Sequence, residues 1–147
     1  MTTAVPQRPE APVVARGFGA LRAPALAVAG GLVVTALLAV VDPNQPGHYP
    51  TCPFLAVTGL YCPGCGSLRA LHDLAHGDLG GAMARNPLTV VALVGLAIGW
   101  VLWARRLWRG QPRRWAAPPA LLYGLLTLVL AFWALRNVPG WTWLSPA

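Results

Sequence analysis

The first long apolar stretch of the chain runs from Ala23 to Val41 and reads APALAVAGGLVVTALLAVV. Its 19 residues would extend roughly 28 Å as a helix at about 1.5 Å per residue, close to the bilayer hydrocarbon thickness of about 30 Å. Two further stretches, Leu88 to Ala104 and Ala116 to Leu135, have the same character. Asn86-Pro87 and Pro118-Pro119 place helix-starting residues at their openings. The sequence therefore predicts an all-α membrane protein with three transmembrane helices.

The composition agrees with a membrane location. Of the 147 residues, 56% are hydrophobic and 10% are charged, whereas soluble proteins carry about 25% charged residues. The net charge of +7 comes from arginine alone, and the arginines flank apolar runs instead of alternating with aromatic residues. We therefore expect membrane lipid as a partner and no nucleic acid. Because no acidic or basic residue lies inside the three stretches, ion transport is disfavoured.

The arginines also predict the orientation of the chain, because basic residues near membrane spans are retained in the cytoplasm. Eight of them fall in the disordered arm predicted at residues 1–22 and in the basic loop predicted at residues 105–115. Placing both segments inside leaves the loop of residues 42–87 and the tail of residues 136–147 outside. We expect a multi-pass protein of the cell membrane, with the first span at 23–41 an uncleaved anchor instead of a secretory signal peptide.

The 46-residue external loop between the first two spans is the longest connection in the chain. Residues 54–61 are apolar but too few to cross a bilayer, so they are expected to re-enter it or lie on its surface. A short amphipathic helix is predicted at about residues 66–76, on the membrane surface. Its apolar face would carry Leu68, Leu71, Leu74 and Ala75, and its polar face Arg69, His72, Asp73 and His76.

All three cysteines lie in this loop, within the segment CPFLAVTGLYCPGCGSLRA that begins at Cys52 and ends at Ala70. Cys62 and Cys65 are separated by Pro63 and Gly64, which we expect to set a tight turn. Asn86-Pro87 follows further along the chain.

The pattern CPxxxxTGxxCPGCGxxRA followed by NP resembles the bacterial domain of unknown function 2752 family, over roughly residues 48–95. The resemblance implies a small membrane protein with a cysteine-bearing loop. It carries no established activity, so the chemistry has to be argued from the residues themselves.

One interpretation of the cysteines is a metal site. A Cys-x-x-Cys turn lets two thiolates face one ion, and zinc prefers four tetrahedral sulfur or nitrogen ligands. Cys52 would supply the third ligand beside Cys62 and Cys65. The fourth would be either His72 or His76, with His48 as a weaker candidate. The cofactor would then be zinc.

A second interpretation is thiol–disulfide oxidoreductase chemistry. Cys62 and Cys65 directly precede a predicted helix start, where backbone N–H groups favour a thiolate. The external side of a membrane also permits disulfides. Against this interpretation, the chain offers no second pair of thiols to pass electrons onward.

The third interpretation, which the sequence favours, is a non-enzymatic structural or assembly subunit whose loop is fixed by a disulfide or by thiol packing.

Gly95 and Gly99 have the spacing that lets two membrane helices approach closely. That spacing is compatible with packing inside the chain, with a membrane-protein partner or with a homo-oligomer.

Overall fold

The computed structural model of the chain describes residues 17–112, 116–140 and 144. These residues form helices joined by turns and contain no strand. Three helices are long and apolar enough to cross a membrane, and three shorter ones lie between the first two of them, which confirms the predicted fold class. The order is α1 (Arg22–Val40, after a 3₁₀ helix at Gly17–Leu21), α2 (Pro53–Thr58), α3 (Ser67–Ala75), α4 (Leu79–Arg85), α5 (Pro87–Trp108) and α6 (Pro119–Arg136).

Some segments assigned from the sequence lie outside the described residues. They are residues 1–16 of the arm, residues 113–115 of the basic loop, and residues 141–143 and 145–147 of the tail. Where the structure describes the chain, α5 continues through Arg105 and Arg106 to Trp108, so these two arginines occupy a helical turn and not a loop.

The long helices bury little of their surface within the chain. In the most apolar 18 residues of α5 none is buried, and the corresponding fractions for the first and third long helices are 11% and 6%. A Cβ atom added at Gly95 or Gly99 would meet open space, so this small-residue face packs against no other described helix. Apolar flanks of this kind are stable in contact with lipid, which solvates them without internal packing.

Buried residues gather instead where three helix ends meet. Leu38 near the end of α1 is 4% exposed, Asn86 at the start of α5 is fully buried, and Arg136 at the end of α6 is 2% exposed. The segment between α1 and α5, residues 42–86, packs among these ends and is called the cysteine region below. The compact part of the protein therefore lies at one end of the three long helices.

Helix α3 is the amphipathic helix expected from the sequence, but its packing differs from the expected division of faces. Ala70 is completely buried, whereas Leu68 is 43% exposed. His72, assigned to a polar face, donates from Nδ1 to the carbonyl oxygen of Leu38 at 2.7 Å. The reason is that α3 packs along the end of α1, where an unpaired terminal carbonyl accepts a side-chain hydrogen bond.

Helix α4 was not expected from the sequence, because Gly80 and Gly81 lower helix propensity. Its start is stabilised by Asp78, whose carboxylate accepts a hydrogen bond from the Gly81 N–H at 2.8 Å. Asp73 of α3 lies 3.7 Å from Arg85 of α4. Local capping and contact with α3 thus outweigh the unfavourable glycines.

Candidate metal centre

The three cysteines are positioned by two short turns. Cys52 directly precedes α2, and Gly59, which follows α2, adopts the left-handed region with φ 71°. The turn Cys62–Cys65, called the CPGC turn below, is closed by the Cys65 N–H donating to the Cys62 carbonyl at 3.1 Å. Gly66 then adopts φ 80° before α3 begins. Gly66 is therefore the residue after the turn whose backbone conformation favours glycine. Gly64, which was expected from the sequence to set the turn, does not have a positive φ.

The turns bring the three thiols together. The Sγ atoms of Cys52, Cys62 and Cys65 all lie within 4.8 Å of one another. Cys62 stands between the other two, at 3.5 Å from Cys52 and 3.2 Å from Cys65. All three are free thiols, since a disulfide requires an S–S distance of about 2.05 Å.

The thiols differ in their surroundings. Cys65 is buried, and burial together with the neighbouring Cys62 thiol raises its pKa to about 12. Cys52 is half-buried, and the backbone N–H of Leu55 holds the pKa of this thiol below its usual value. Without an ion the cluster therefore combines a thiol of lowered pKa, Cys52, with a thiol of raised pKa, Cys65.

Asn86 fixes the CPGC turn from the side of α5. Its Nδ2 donates to the carbonyl oxygens of Pro63 and Cys65 at 2.9 and 3.1 Å and lies 3.3 Å from the Ser67 Oγ. Its Oδ1 accepts from the Thr89 N–H at 3.1 Å and so caps α5. One fully buried side chain therefore starts a long helix and holds the turn that carries two of the thiols.

Arg136 holds the same turn from the end of α6. Its Nη1 donates to the carbonyls of Cys62 and Pro63 at 3.2 and 3.3 Å, and its Nη2 donates to the carbonyl of Cys65 at 3.2 Å. The next residue, Asn137, pairs with the backbone of Tyr61 through both its Oδ1 and its Nδ2, at 2.8 and 2.9 Å. The end of the last long helix is thereby attached to the thiol cluster.

The charge of Arg136 has no acidic partner among the described residues. Its Nε is buried without a hydrogen-bond partner, and the guanidinium lies 5.1 Å from the centroid of the Phe132 ring. Burying a cation in this way is costly unless an opposite charge compensates it.

The cluster opens into a cavity of about 530 Å³. All three cysteines line it, together with Thr51, Tyr61 and residues of the 43–50 segment. Arg69 brings a positive charge to its wall, and none of the lining residues is acidic. The cavity thus reaches the half-buried thiols of Cys52 and Cys62, while the Cys65 thiol stays buried.

The histidines expected as fourth ligands lie elsewhere. The described group of potential ligands contains the three cysteines and no histidine. His72 binds the Leu38 carbonyl and lies 3.7 Å from Asp42, while His76 stacks on His72 with ring centroids 4.4 Å apart. His48 places its Nδ1 2.9 Å from the carbonyl oxygen of Asp42. The structure therefore assembles three of the predicted ligands and leaves the fourth position without a histidine.

Two residues that hold the site were not identified from the sequence. Arg136 and Asn137 fall in the tail predicted at residues 136–147, where an arginine on the side opposite most of the others is a signal that could have been used. Asn86 was identified as a helix cap, but its second role depends on a contact across 23 positions to Pro63.

Comparison with known proteins finds a similarity to one family and adds no activity. No curated protein and no solved structure matches the chain. Residues 52–100, which include all three cysteines, Asn86 and the first part of α5, match a family model described as a protein of unknown function, DUF2752. The match covers about a third of the chain, so this segment is similar to the DUF2752 family.

Proposed function

We propose that this membrane protein binds a soft divalent metal ion, with zinc as the expected ion, through Cys52, Cys62 and Cys65. The observation that carries the proposal is the approach of the three Sγ atoms to within 4.8 Å of one another. Two thiolates bound to one tetrahedral zinc at about 2.3 Å are about 3.8 Å apart. The Sγ–Sγ distances of 3.5 and 3.2 Å from Cys62 are close to that separation.

Charge supports the same proposal. Three protonated thiols would leave the buried cation of Arg136 uncompensated. Three thiolates around a divalent ion carry one net negative charge, because metal ligands of this type bind deprotonated. The loaded cluster and Arg136 would then be neutral together, in a place where an isolated charge is expensive.

The test is metal analysis of the full-length protein purified in detergent, with thiols counted before and after reduction. We expect about one zinc per chain, three thiols protected from alkylation, and three reactive thiols after chelation. Cys62→Ser should lower zinc content and thermal stability together, since binding is coupled to folding. His72→Gln serves as the matched control and should retain its zinc. Three reactive thiols without metal in the wild-type protein would disprove the proposal.

Thiol–disulfide exchange is a second candidate, favoured by one observation. Cys62 lies within 3.5 Å of both other thiols, so it has two partners with which a disulfide could form. Such a protein would be metal-free as purified. It would show one alkylatable thiol per chain, rising to three after reduction, a count that a zinc site does not give.

We also propose the orientation indicated by the arginines, with the cysteine region outside the cytoplasm. The ends of α1 and α6 and the start of α5 meet at the cysteine region, an arrangement expected of three successive crossings. A reporter active only outside the cytoplasm should function when fused after Gly80 and be silent after Gly110. The reverse result would contradict this orientation.

That a membrane-protein partner or a second copy packs against Gly95 and Gly99 stays a prediction from the sequence.

A further inference from the structure

We propose that oxidation controls the metal centre, through a disulfide between Cys52 and Cys62 that removes two of its three cysteine ligands. This inference rests on the proposed function and adds how the bound ion would be released. The oxidant is a small external disulfide that enters the cavity beside the cluster. The cavity volume of about 530 Å³ is within the range of about 300 to 1,000 Å³ that is usual for small-molecule sites. Such an oxidant belongs to the disulfide-permissive side of the membrane, where the proposed orientation places the cysteine region.

The three thiols differ in their access to this molecule. All of them line the cavity, but Cys65 is 8% exposed, whereas Cys52 and Cys62 are half-buried. Cys62 has both other sulfur atoms as neighbours, at 3.5 Å and 3.2 Å. Cys52 follows Thr51, which also lines the cavity. We therefore assign the first reaction with the external disulfide to Cys52 and the second to Cys62.

The hydrogen bonds around the cluster explain why Cys62 pairs with Cys52 instead of Cys65. Asn86 and Arg136 both donate to the carbonyl oxygen of Cys65, and so hold the CPGC turn in place. A disulfide between Cys62 and Cys65 would have to form inside this fixed turn, although disulfide geometry is specific. Cys52 lies ten positions before Cys62, on the other side of α2. A shift of that separate segment brings the Cys52 sulfur to Cys62 while the turn keeps its hydrogen bonds.

The reaction takes two exchange steps, and its atoms and electrons balance. In the first step the Cys52 thiolate attacks one sulfur of the external disulfide, so a mixed disulfide forms and one external thiolate leaves. In the second step the Cys62 thiolate attacks the Cys52 sulfur, and the second external thiolate leaves. The two protein sulfurs are oxidised, and the external disulfide is reduced by the same two electrons. Cys65 alone cannot hold an ion that takes four ligands, so the ion is released and the Cys65 sulfur takes a proton from solvent.

The experiment uses full-length protein in detergent, loaded with zinc and treated with 2-hydroxyethyl disulfide in the presence of a chromophoric chelator that reports free zinc. We expect release of about one zinc per chain. Alkylatable thiols, counted after chelation, should fall from three to one, and peptide mass mapping should find Cys52 joined to Cys62. Reduction with a phosphine in the presence of zinc should restore the loaded site. His76→Gln changes an exposed side chain of α3 and serves as the control, with zinc release as in the wild type.

Two variants separate the two steps, and mass mapping follows both because each lacks one metal ligand. Cys62→Ser has no thiol for the second step, so the mixed disulfide should accumulate on Cys52. Cys65→Ser keeps both reacting thiols and should form the same Cys52–Cys62 disulfide as the wild type. A disulfide between Cys62 and Cys65 in the wild-type protein would overturn the proposed pairing.

The possible failures can be distinguished. Zinc that stays bound, with its three thiols intact, in excess 2-hydroxyethyl disulfide would overturn oxidative release, while the metal site itself would stand. A protein that neither holds zinc as purified nor takes it up would defeat the proposed function, and the inference with it.

Discussion

The long helices and the cysteine region are stabilised in opposite ways. The most apolar part of α5 buries no residue within the chain, whereas the cysteine region and the helix ends around it contain the fully buried Ala70, Ala82 and Asn86. The helices satisfy their backbone internally and leave their side chains to lipid. The cysteine region contains irregular turns, so its backbone carbonyls need partners from elsewhere.

Those partners come from the helix ends. Asn86 at the start of α5 and Arg136 at the end of α6 both donate to the carbonyls of the CPGC turn. The long helices therefore contribute to the site through their termini and not through their faces. Polar substitutions at these ends should therefore affect the site strongly, even though they lie outside the cysteine motif.

The largest effect is expected at Asn86, where two variants separate its two roles. Asn86→Ala removes both the α5 cap and the bonds to the turn, and should lower the free energy of unfolding by about 3 kcal/mol. Asn86→Ser keeps a good capping residue but cannot reach the turn, so it should recover about 1 kcal/mol of that loss. Unfolding in detergent, followed by tryptophan fluorescence, measures both. Wild-type stability in Asn86→Ser would show that the contact with the turn contributes nothing.

The sequence predicted the parts of the molecule that follow from local pattern. The three apolar stretches identify the long helices because length and hydrophobicity are local properties, and the cluster of cysteines follows from their spacing. Helix α4 was missed because its stability depends on Asp78 and on contact with α3. The attachment of Arg136 to the CPGC turn was missed because it joins residues more than 70 positions apart. Long-range polar contacts of this kind leave no periodic signal.

A smaller effect, on metal affinity, is expected at Arg136. Arg136→Gln removes the charge that would balance the loaded cluster, and should weaken zinc binding 10- to 100-fold, the usual range for groups that support metal ligands. Arg136→Lys keeps the charge but loses the forked donor geometry, so it should recover part of the affinity. Competition with a chromophoric chelator measures the affinities, with Arg105→Gln as the control. Equal loss in the Lys and Gln variants would assign the effect to hydrogen bonding instead of charge.

The smallest effect is expected within the cysteine region, as a difference in alkylation rate between Cys52 and Cys65 of the metal-free protein. Only a thiolate reacts readily with iodoacetamide. Burial raises the pKa of the Cys65 thiol from 9.0 to about 12, so its thiolate fraction at pH 8 should lie far below that of an ordinary cysteine. The Cys52 thiol has a lowered pKa and is partly accessible.

Alkylation followed by peptide mass mapping should therefore modify Cys52 first, and Cys65 only as the pH rises well above 9 or after unfolding. Preferential modification of Cys65 at neutral pH would contradict the burial of this thiol beneath the CPGC turn. Addition of zinc before alkylation should protect both residues equally, because a shared ion removes the difference between their environments.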